Sequence, residues 1–284
     1  MSTITLTASM RSNLSSLKTI QSQMDVTQER LSTGKKVNSA IDNASSFYQA
    51  RALTNRASDL DGLLDSMGQG IQTIQAANEG IEAITSFVEQ MKSVAQSAFA
   101  LNKPGDGATE AETKAYADAL AEYAKQFDAI AKEIGAVVDD ASYQGINLLN
   151  GGELTVTFNE TRSNKFKITG DDVVTKMAIG KATDGDKKWT DAASVDASIG
   201  EISKAIDYLR SYATTLGNNY SIIETRQDFT EAMIDVLETG SDKLVLADMN
   251  EESANYLALQ TRQQLAVNSL ALASQSAQSV LSLF

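Results

Sequence analysis

The chain has 284 residues with 24 Lys and Arg against 37 Asp and Glu, a formal net charge of −13, which makes it a poor partner for nucleic acid or an anionic membrane surface. It contains no Cys and no His, so disulfides, thiolate nucleophiles, iron–sulfur ligation and imidazole chemistry are all excluded. With 42% apolar residues, one Pro and 6% aromatics, the composition describes a helix-rich chain able to build a core.

The N-terminal Met-Ser-Thr-Ile-Thr-Leu-Thr lacks the basic and apolar regions of a cleavable signal. Steps of three and four then find Met10, Leu14, Leu17, Gln21, Met24, Gln28 and Leu31, a heptad seam that predicts a helix. From Leu60 the same stepping runs through Leu64, Met67, Ile71, Ile74, Asn78, Ile81, Ile84, Val88, Met91, Ala95 and Ala98. Gly62, Gly68, Gly70 and Gly80 lie inside this stretch, each costing about 1 kcal/mol relative to Ala, so packing must outweigh local preference.

Asn102-Lys-Pro-Gly-Asp-Gly reads as a turn, and Thr109 with Glu112 as a capping box. The helix that follows carries the stripe Tyr116, Leu120, Tyr123, Phe127, Ile130, Ile134 and Val137. Residues 151–193 change character. The alternation Leu154-Thr-Val156-Thr-Phe158, then Lys165-Phe-Lys-Ile168, predicts a small β-hairpin region, too short for a core of its own. Another long seam, Ile199, Ile202, Ile206, Leu209, Ala213, Leu216, Tyr220, Ile223, Gln227, Thr230, Ile234 and Leu237, is expected to end at Gly240 as a C′ residue.

The tail repeats the heptad at Tyr256, Leu259, Gln263, Ala266, Leu270, Ala273, Ala277, Val280 and Phe284. Leu257, Leu265, Val267, Leu272, Leu281 and Leu283 lie off that seam, so one partner helix would leave apolar surface uncovered. Residues 263–284 carry no charge, yet ten of these 22 are Gln, Asn or Ser, which excludes a membrane span. Charge is segregated: residues 1–40 sum to +3 and 253–284 to +1, leaving −13 − 3 − 1 = −17 for the middle. Nearly neutral ends suit contact with protein, and an acidic centre suits contact with water.

No pattern supports catalysis or metal binding. Ser15-x-x-Lys18 lacks companion motifs and reads as a polar helix face. Asp171-Asp172 and Asp184-Gly-Asp186 lack the spacing of a calcium loop and read as solvated turns. Gly68-x-Gly70 lies within a helical seam, not after a strand. Asp139-Asp140 and Glu251-Glu252 are helix neighbours that point apart, and read as solvated or helix-end charges. Trp189 has no stacking partner nearby in sequence. No catalytic residue, metal or cofactor is expected. The fold expected is mainly α, a long antiparallel helical bundle with a small β-hairpin region.

Five stretches carry a family resemblance. Leu31-Ser-Thr-Gly-Lys-Lys-Val-Asn-Ser-Ala-Ile-Asp-Asn-Ala is similar to the N-terminal signature of bacterial flagellin. Leu246-Ala-Asp-Met-Asn-Glu-Glu-Ser-Ala, Leu259-Gln-Thr-Arg-Gln-Gln-Leu and Ser279-Val-Leu-Ser-Leu-Phe resemble its tail. Tyr143-Gln-Gly-Ile-Asn-Leu-Leu-Asn-Gly151 is similar to the turn before its hairpin.

The resemblance implies a secreted, non-enzymatic building block of the flagellar filament, exported unfolded without signal cleavage, here in a short form without a large outer domain. It implies a terminal coiled coil lining the inner filament from residues 1–42 and 241–284, a long-helix bundle from 43–150 and 198–240, and an outer region from 151–197. The expected partners are further copies of the chain, an export chaperone, and the hook-filament junction and filament cap proteins. The nearest rival is the junction protein, which has similar terminal helices. Subunit contacts are expected from apolar residues of the termini, namely Leu6, Met10, Leu14, Leu17, Met24, Leu257, Leu265, Val267, Leu272, Leu281, Leu283 and Phe284. Plant and animal receptors sense this family, and the corresponding residues are Glu29, Arg30, Leu31, Asn38, Asp42, Asn43 and Glu89. Asn43 stands where the family's second Asp usually stands, Ser46 replaces a Gly, and Glu89 replaces an Arg of the animal-sensed form, so weak sensing is expected.

Overall fold

The computed structural model describes residues 8–105 and 107–281, without the side chains of Asp186, Ala277, Val280 and Leu281. Its elements in chain order are α1 (Ala8–Thr33), α2 (Ala40–Phe99), α3 (Glu110–Asp140), strands β1 (Glu153–Thr157) and β2 (Lys165–Thr169), the short α4 (Val173–Met177), a 3-10 turn at Gly185–Lys187, α5 (Ala192–Val245) and α6 (Met249–Leu281). They form two compact units, one from the described parts of Met1–Ser58 and Ile234–Phe284, the other from Asp59–Met233.

In the larger unit the seams of α2, α3 and α5 converge on one core. Met67, Ile84, Val88, Met91, Phe127, Ile202, Leu209, Leu216 and Ile223 all lie within it. The capping box at Thr109 and Glu112 forms as the spacing predicts, each side chain bonding the other residue's backbone N–H. Two of the four glycines in α2 are places of close approach. A Cβ at Gly70 would meet Val156 Cγ2 at 2.8 Å, and one at Gly80 would meet Leu149 Cδ1 at 2.6 Å and Ala141 Cβ at 2.9 Å, whereas Gly62 and Gly68 face open space.

The strands pair antiparallel, with Leu154 opposite Ile168 and Val156 opposite Phe166. Leu154, Val156 and Ile168 turn inward and join the helical core, which supplies what so short a sheet lacks alone. The region is more than a hairpin. Asp172 caps α4 by accepting from Thr175 N at 3.0 Å, and Val173 and Met177 bury beneath it. Trp189 does find an aromatic partner, Phe127, with ring centroids 4.9 Å apart, and its Nε1–H donates to Ser198 Oγ at 2.9 Å. That partner lies on α3, out of reach of local sequence reasoning.

The Gly-Ile-Asn-Leu-Leu turn is held by Asn147. Its Nδ2 donates to Val138 O at 2.6 Å, its Oδ1 accepts from Leu149 N at 2.9 Å, and its carbonyl accepts from Gly152 N at 2.8 Å. Leu148 and Leu149 thereby drop into the core. From α5, Tyr212 OH donates to Leu148 O at 2.7 Å and Tyr208 OH donates to Asp171 Oδ2 at 2.9 Å. Burial, then the hydrogen bond to Asp171, pushes the Tyr208 phenol well above its ordinary value.

Two boundaries differ from those expected. The seam recognised from Leu60 belongs to a longer helix: the backbone is non-helical at Asn43 (φ −161°, ψ 98°) and helical beyond it. Gly240 does not end α5, which continues to Val245. Gly240 packs beside α2, where a Cβ would meet Leu53 Cδ1 at 3.4 Å, an ordinary contact, and the next residue, Ser241, bonds Thr54 Oγ1 at 3.0 Å.

Candidate assembly interface

The smaller unit brings both ends of the chain together. α1 and α6 run antiparallel, because Gln21 meets Gln263 (2.8 Å) while Arg30 meets Glu252 (2.8 Å). Met10, Met24 and Thr27 of α1 and Leu259 of α6 are buried, and the seam residues Tyr256, Ala266 and Leu270 are half-buried. Glu252 stands in the first turn of α6, a helix-end charge as expected, but at 8% exposed it is not solvated. Its carboxylate accepts the Arg30 guanidinium and sets the register of the two helices, while Glu251 beside it is exposed.

Below that pair the links between helices fasten each other. Lys36 N donates to Val245 O at 2.8 Å, Ala247 N donates to Gly34 O at 3.0 Å, and Lys35 bridges Leu246. Gly34 takes φ +72° here, a left-handed conformation that favours glycine. Val37, Ala50 and Val245 form a small buried cluster under Phe47 and Leu244. Asp42 closes the link between α1 and α2. Its Oδ2 accepts from Asn38 N (3.0 Å), Ser39 N (2.9 Å) and Ser39 Oγ (3.2 Å). The backbone N–H of Ser39 and then that of Asn38 hold its carboxyl below the usual carboxylate range. Asn43 next caps the body of α2, its Oδ1 accepting from Ser46 N at 3.0 Å.

The residues expected at subunit contacts divide in three. Met10 and Met24 are already buried inside the protomer, so their apolar surface is spent on the α1–α6 seam, and Leu17 is half-buried. Leu14 (39%), Leu257 (62%), Leu265 (61%), Val267 (50%) and Leu272 (66%) are exposed. Leu6, Leu283 and Phe284 lie outside the described residues, as does the side chain of Leu281.

Of the receptor-like segment, Glu29, Asp42, Asn43 and Glu89 are exposed, and Arg30, Leu31 and Asn38 half-buried. Sequence reasoning missed a further set of exposed apolar residues, including Ile41 (95%), Tyr48 (62%), Phe229 (57%) and Val236 (64%). Exposure of this kind is set by which helix face finds a neighbour, although the heptad recurrence of Ile222, Phe229 and Val236 was a usable signal.

Among the described residues no group of acidic side chains could hold a metal, and no helix is long and apolar enough to cross a membrane. Three of the carboxylates considered for calcium, all but Asp186, have partners within the chain. Asp172 caps α4, Asp171 accepts from Tyr208, and Asp184 accepts from Gly185 N at 2.8 Å.

Two family models match the chain: the bacterial flagellin N-terminal helical region over residues 2–153 and the bacterial flagellin C-terminal helical region over residues 199–284. A flagellin of Brucella melitensis is 32% identical, covering 100% of this chain and 99% of its own length. One of Caulobacter vibrioides is 29% identical, covering 95% of this chain and 94% of its own length. A Bacillus cereus flagellin crystal structure superposes with a TM-score of 0.44 at 12% identity, over 57% of this chain and 86% of that one.

Proposed function

The chain belongs to the bacterial flagellin family and is a structural subunit of the extracellular flagellar filament, and on that premise we propose that α1 and α6 carry its assembly. The matches do not favour the hook-filament junction protein. The observation that supports the reading is the outer face of α6. Leu257, Leu265, Val267 and Leu272 are each at least half exposed, on a stretch whose one charge after residue 253 is Arg262. Apolar side chains left in water gain about 1.5–3 kcal/mol each when fully covered. Neighbouring copies are the partners that a filament subunit has in abundance. Leu14, exposed on α1, joins these α6 residues.

The terminal unit then belongs to the inner filament and the 151–197 region to its outside. The chain works without catalysis or cofactor and leaves the cell unfolded, with no signal cleaved. Absence of Cys suits that route, because no disulfide can form before passage. An export chaperone holds the tail beforehand, and the junction and cap proteins bound the growing polymer.

Seeded elongation of purified protein with Leu257, Leu265 and Leu272 all changed to Ser tests the reading. Loss of elongation with unchanged helix content and unchanged unfolding supports it. Elongation at the rate of the unaltered chain overturns it.

A further inference from the structure

Asn150 is the one asparagine of the chain that is followed by glycine. Glycine has no side chain to obstruct its own backbone nitrogen, so at this pair the chain can attack itself. The Gly151 N–H gives up its proton, a bond forms between that nitrogen and Asn150 Cγ, and the Cγ–Nδ2 bond breaks as ammonia leaves, giving a cyclic succinimide. Water then opens the ring at either carbonyl. One opening leaves aspartate at position 150, and the other leaves isoaspartate, with the chain routed through Cγ and longer by a methylene. The net change is amide plus water to carboxylic acid plus ammonia, with no other reactant.

The fold withholds both reacting groups. An isolated antiparallel bridge pairs Asn150 with Asp172, and its two hydrogen bonds lie on either side of Asn150: Val173 N donates to Leu149 O at 2.9 Å, and Gly151 N donates to Asp171 O at 3.2 Å. The second bond occupies the N–H that must be lost. The carboxamide is held as well, its Nδ2 donating to Asp139 Oδ1 at 3.3 Å. Asp171 is in turn fixed from α5, its backbone N donating to Tyr212 OH at 3.1 Å and its Oδ2 accepting from Tyr208 OH at 2.9 Å. Asn150 itself is exposed, so what the fold controls is the backbone nitrogen and not the access of water.

We propose that Asn150 is a site of spontaneous deamidation that the folded turn suppresses, with Tyr208 and Tyr212 as positioning residues that keep Asp171 on the Gly151 nitrogen. The folded turn also disfavours the products. Gly152 N donates to Asn147 O at 2.8 Å and Gly170 N donates to Gly152 O at 2.7 Å, so the backbone beside Asn150 is tied on both sides against an added methylene. The aspartate product sets a second carboxylate where Nδ2 met that of Asp139, and like charges repel. The chain thus carries at one residue a chemical record of time spent unfolded. The inference goes beyond the filament reading and does not depend on it.

Peptide mass spectrometry of the full chain, aged at mildly alkaline pH either folded or in guanidinium chloride, tests the proposal without any substitution. In the unfolded chain Asn150 should convert faster than every other asparagine. In the folded chain it should convert about tenfold more slowly or less, because the turn must open first. Equal rates at Asn150 in the two states, or another asparagine leading in the unfolded chain, overturn the proposal.

Tyr208→Phe removes one hold on Asp171. It should raise the folded-state rate at Asn150 about fivefold and speed amide exchange at Gly151, with exchange at Phe127 unchanged. An unchanged rate at Asn150, or faster exchange at Phe127 as well, overturns the positioning role. Chains with isoaspartate at position 150, isolated by their added charge and refolded, should melt about 2–4 °C below unaltered chains. An equal midpoint overturns the claim that the turn disfavours the product.

Discussion

Gly62 and Gly80 stand in the same helix, yet replacing Gly62 with Ala should stabilise the fold while replacing Gly80 should not. Removing a helical glycine stabilises by about 1 kcal/mol where the new methyl meets nothing, and Gly62 faces open space. At Gly80 the same gain is set against overlap with Leu149 Cδ1 at 2.6 Å and Ala141 Cβ at 2.9 Å. Leu149 is fully buried, and the Ala141 methyl cannot rotate away from its backbone, so α2 must shift from the Gly-Ile-Asn-Leu-Leu turn. Overpacking of this kind costs about 1–3 kcal/mol, leaving Gly80→Ala between neutral and about 2 kcal/mol destabilised. Gly62→Ala should raise the thermal midpoint by about 2–4 °C. Thermal unfolding followed by far-ultraviolet circular dichroism, on monomer at fixed concentration, separates the two. Equal midpoints for the two variants would refute the claim that α2 carries glycine at residue 80 for close approach.

Breaking the Arg30–Glu252 pair by Arg30→Ala should leave the largely buried Glu252 carboxylate without its partner. The loss is about 1–3 kcal/mol, seen as faster amide exchange in α1 and α6 and unchanged exchange at Phe127; uniform protection would contradict it. The carboxyls of Asp42, Glu112, Asp172 and Asp191 are held below their ordinary values of 3.8 and 4.5, mainly by hydrogen bonds at caps and turns. Depressed carboxylates contribute stability that is complete above those values and is lost as pH falls through the lower folded ones. The thermal midpoint should therefore hold from neutrality to about pH 5 and fall below about pH 4, less steeply in Asp42→Asn; a midpoint unchanged at pH 2 would refute this. Receptor-reporter cells of plant and animal type should respond weakly to the chain, given Asn43, Ser46 and Glu89, and a full response at ordinary flagellin doses would contradict that expectation.

The long seams were legible because every third or fourth residue repeats over many turns. Leu60 to Ala98 and Ile199 to Leu237 line the observed helices with buried or half-buried side chains at every named step. The capping box and the two strands were legible because their signals are local. Gly240 misled because a glycine past the last seam residue resembles a helix stop, whereas it lies inside α5, which runs on to Val245. The burial of Glu252 was not legible, since its half-buried partner Arg30 lies 222 residues away in sequence. No local pattern foretells that Asp128 of α3 accepts from Ala182 N at 2.7 Å and Thr183 N at 3.0 Å and so holds the loop before α5. At the candidate interface the off-seam leucines of the tail could be named from periodicity, while Ile41 and Tyr48 could not, because exposure depends on which neighbour is missing.

The central claim, that the paired terminal helices drive polymerisation, is tested most directly by ending the chain after Asp248, which removes α6 and leaves α5 whole. Elongation from short filament seeds, followed by sedimentation and negative-stain microscopy, should give filaments from the full chain and none from the truncated one. The truncated chain should keep Trp189 buried against Phe127, read as unchanged fluorescence emission. Filaments of normal length from the truncated chain, or a full chain that stays a discrete monomer or dimer in the presence of seeds, would contradict the account.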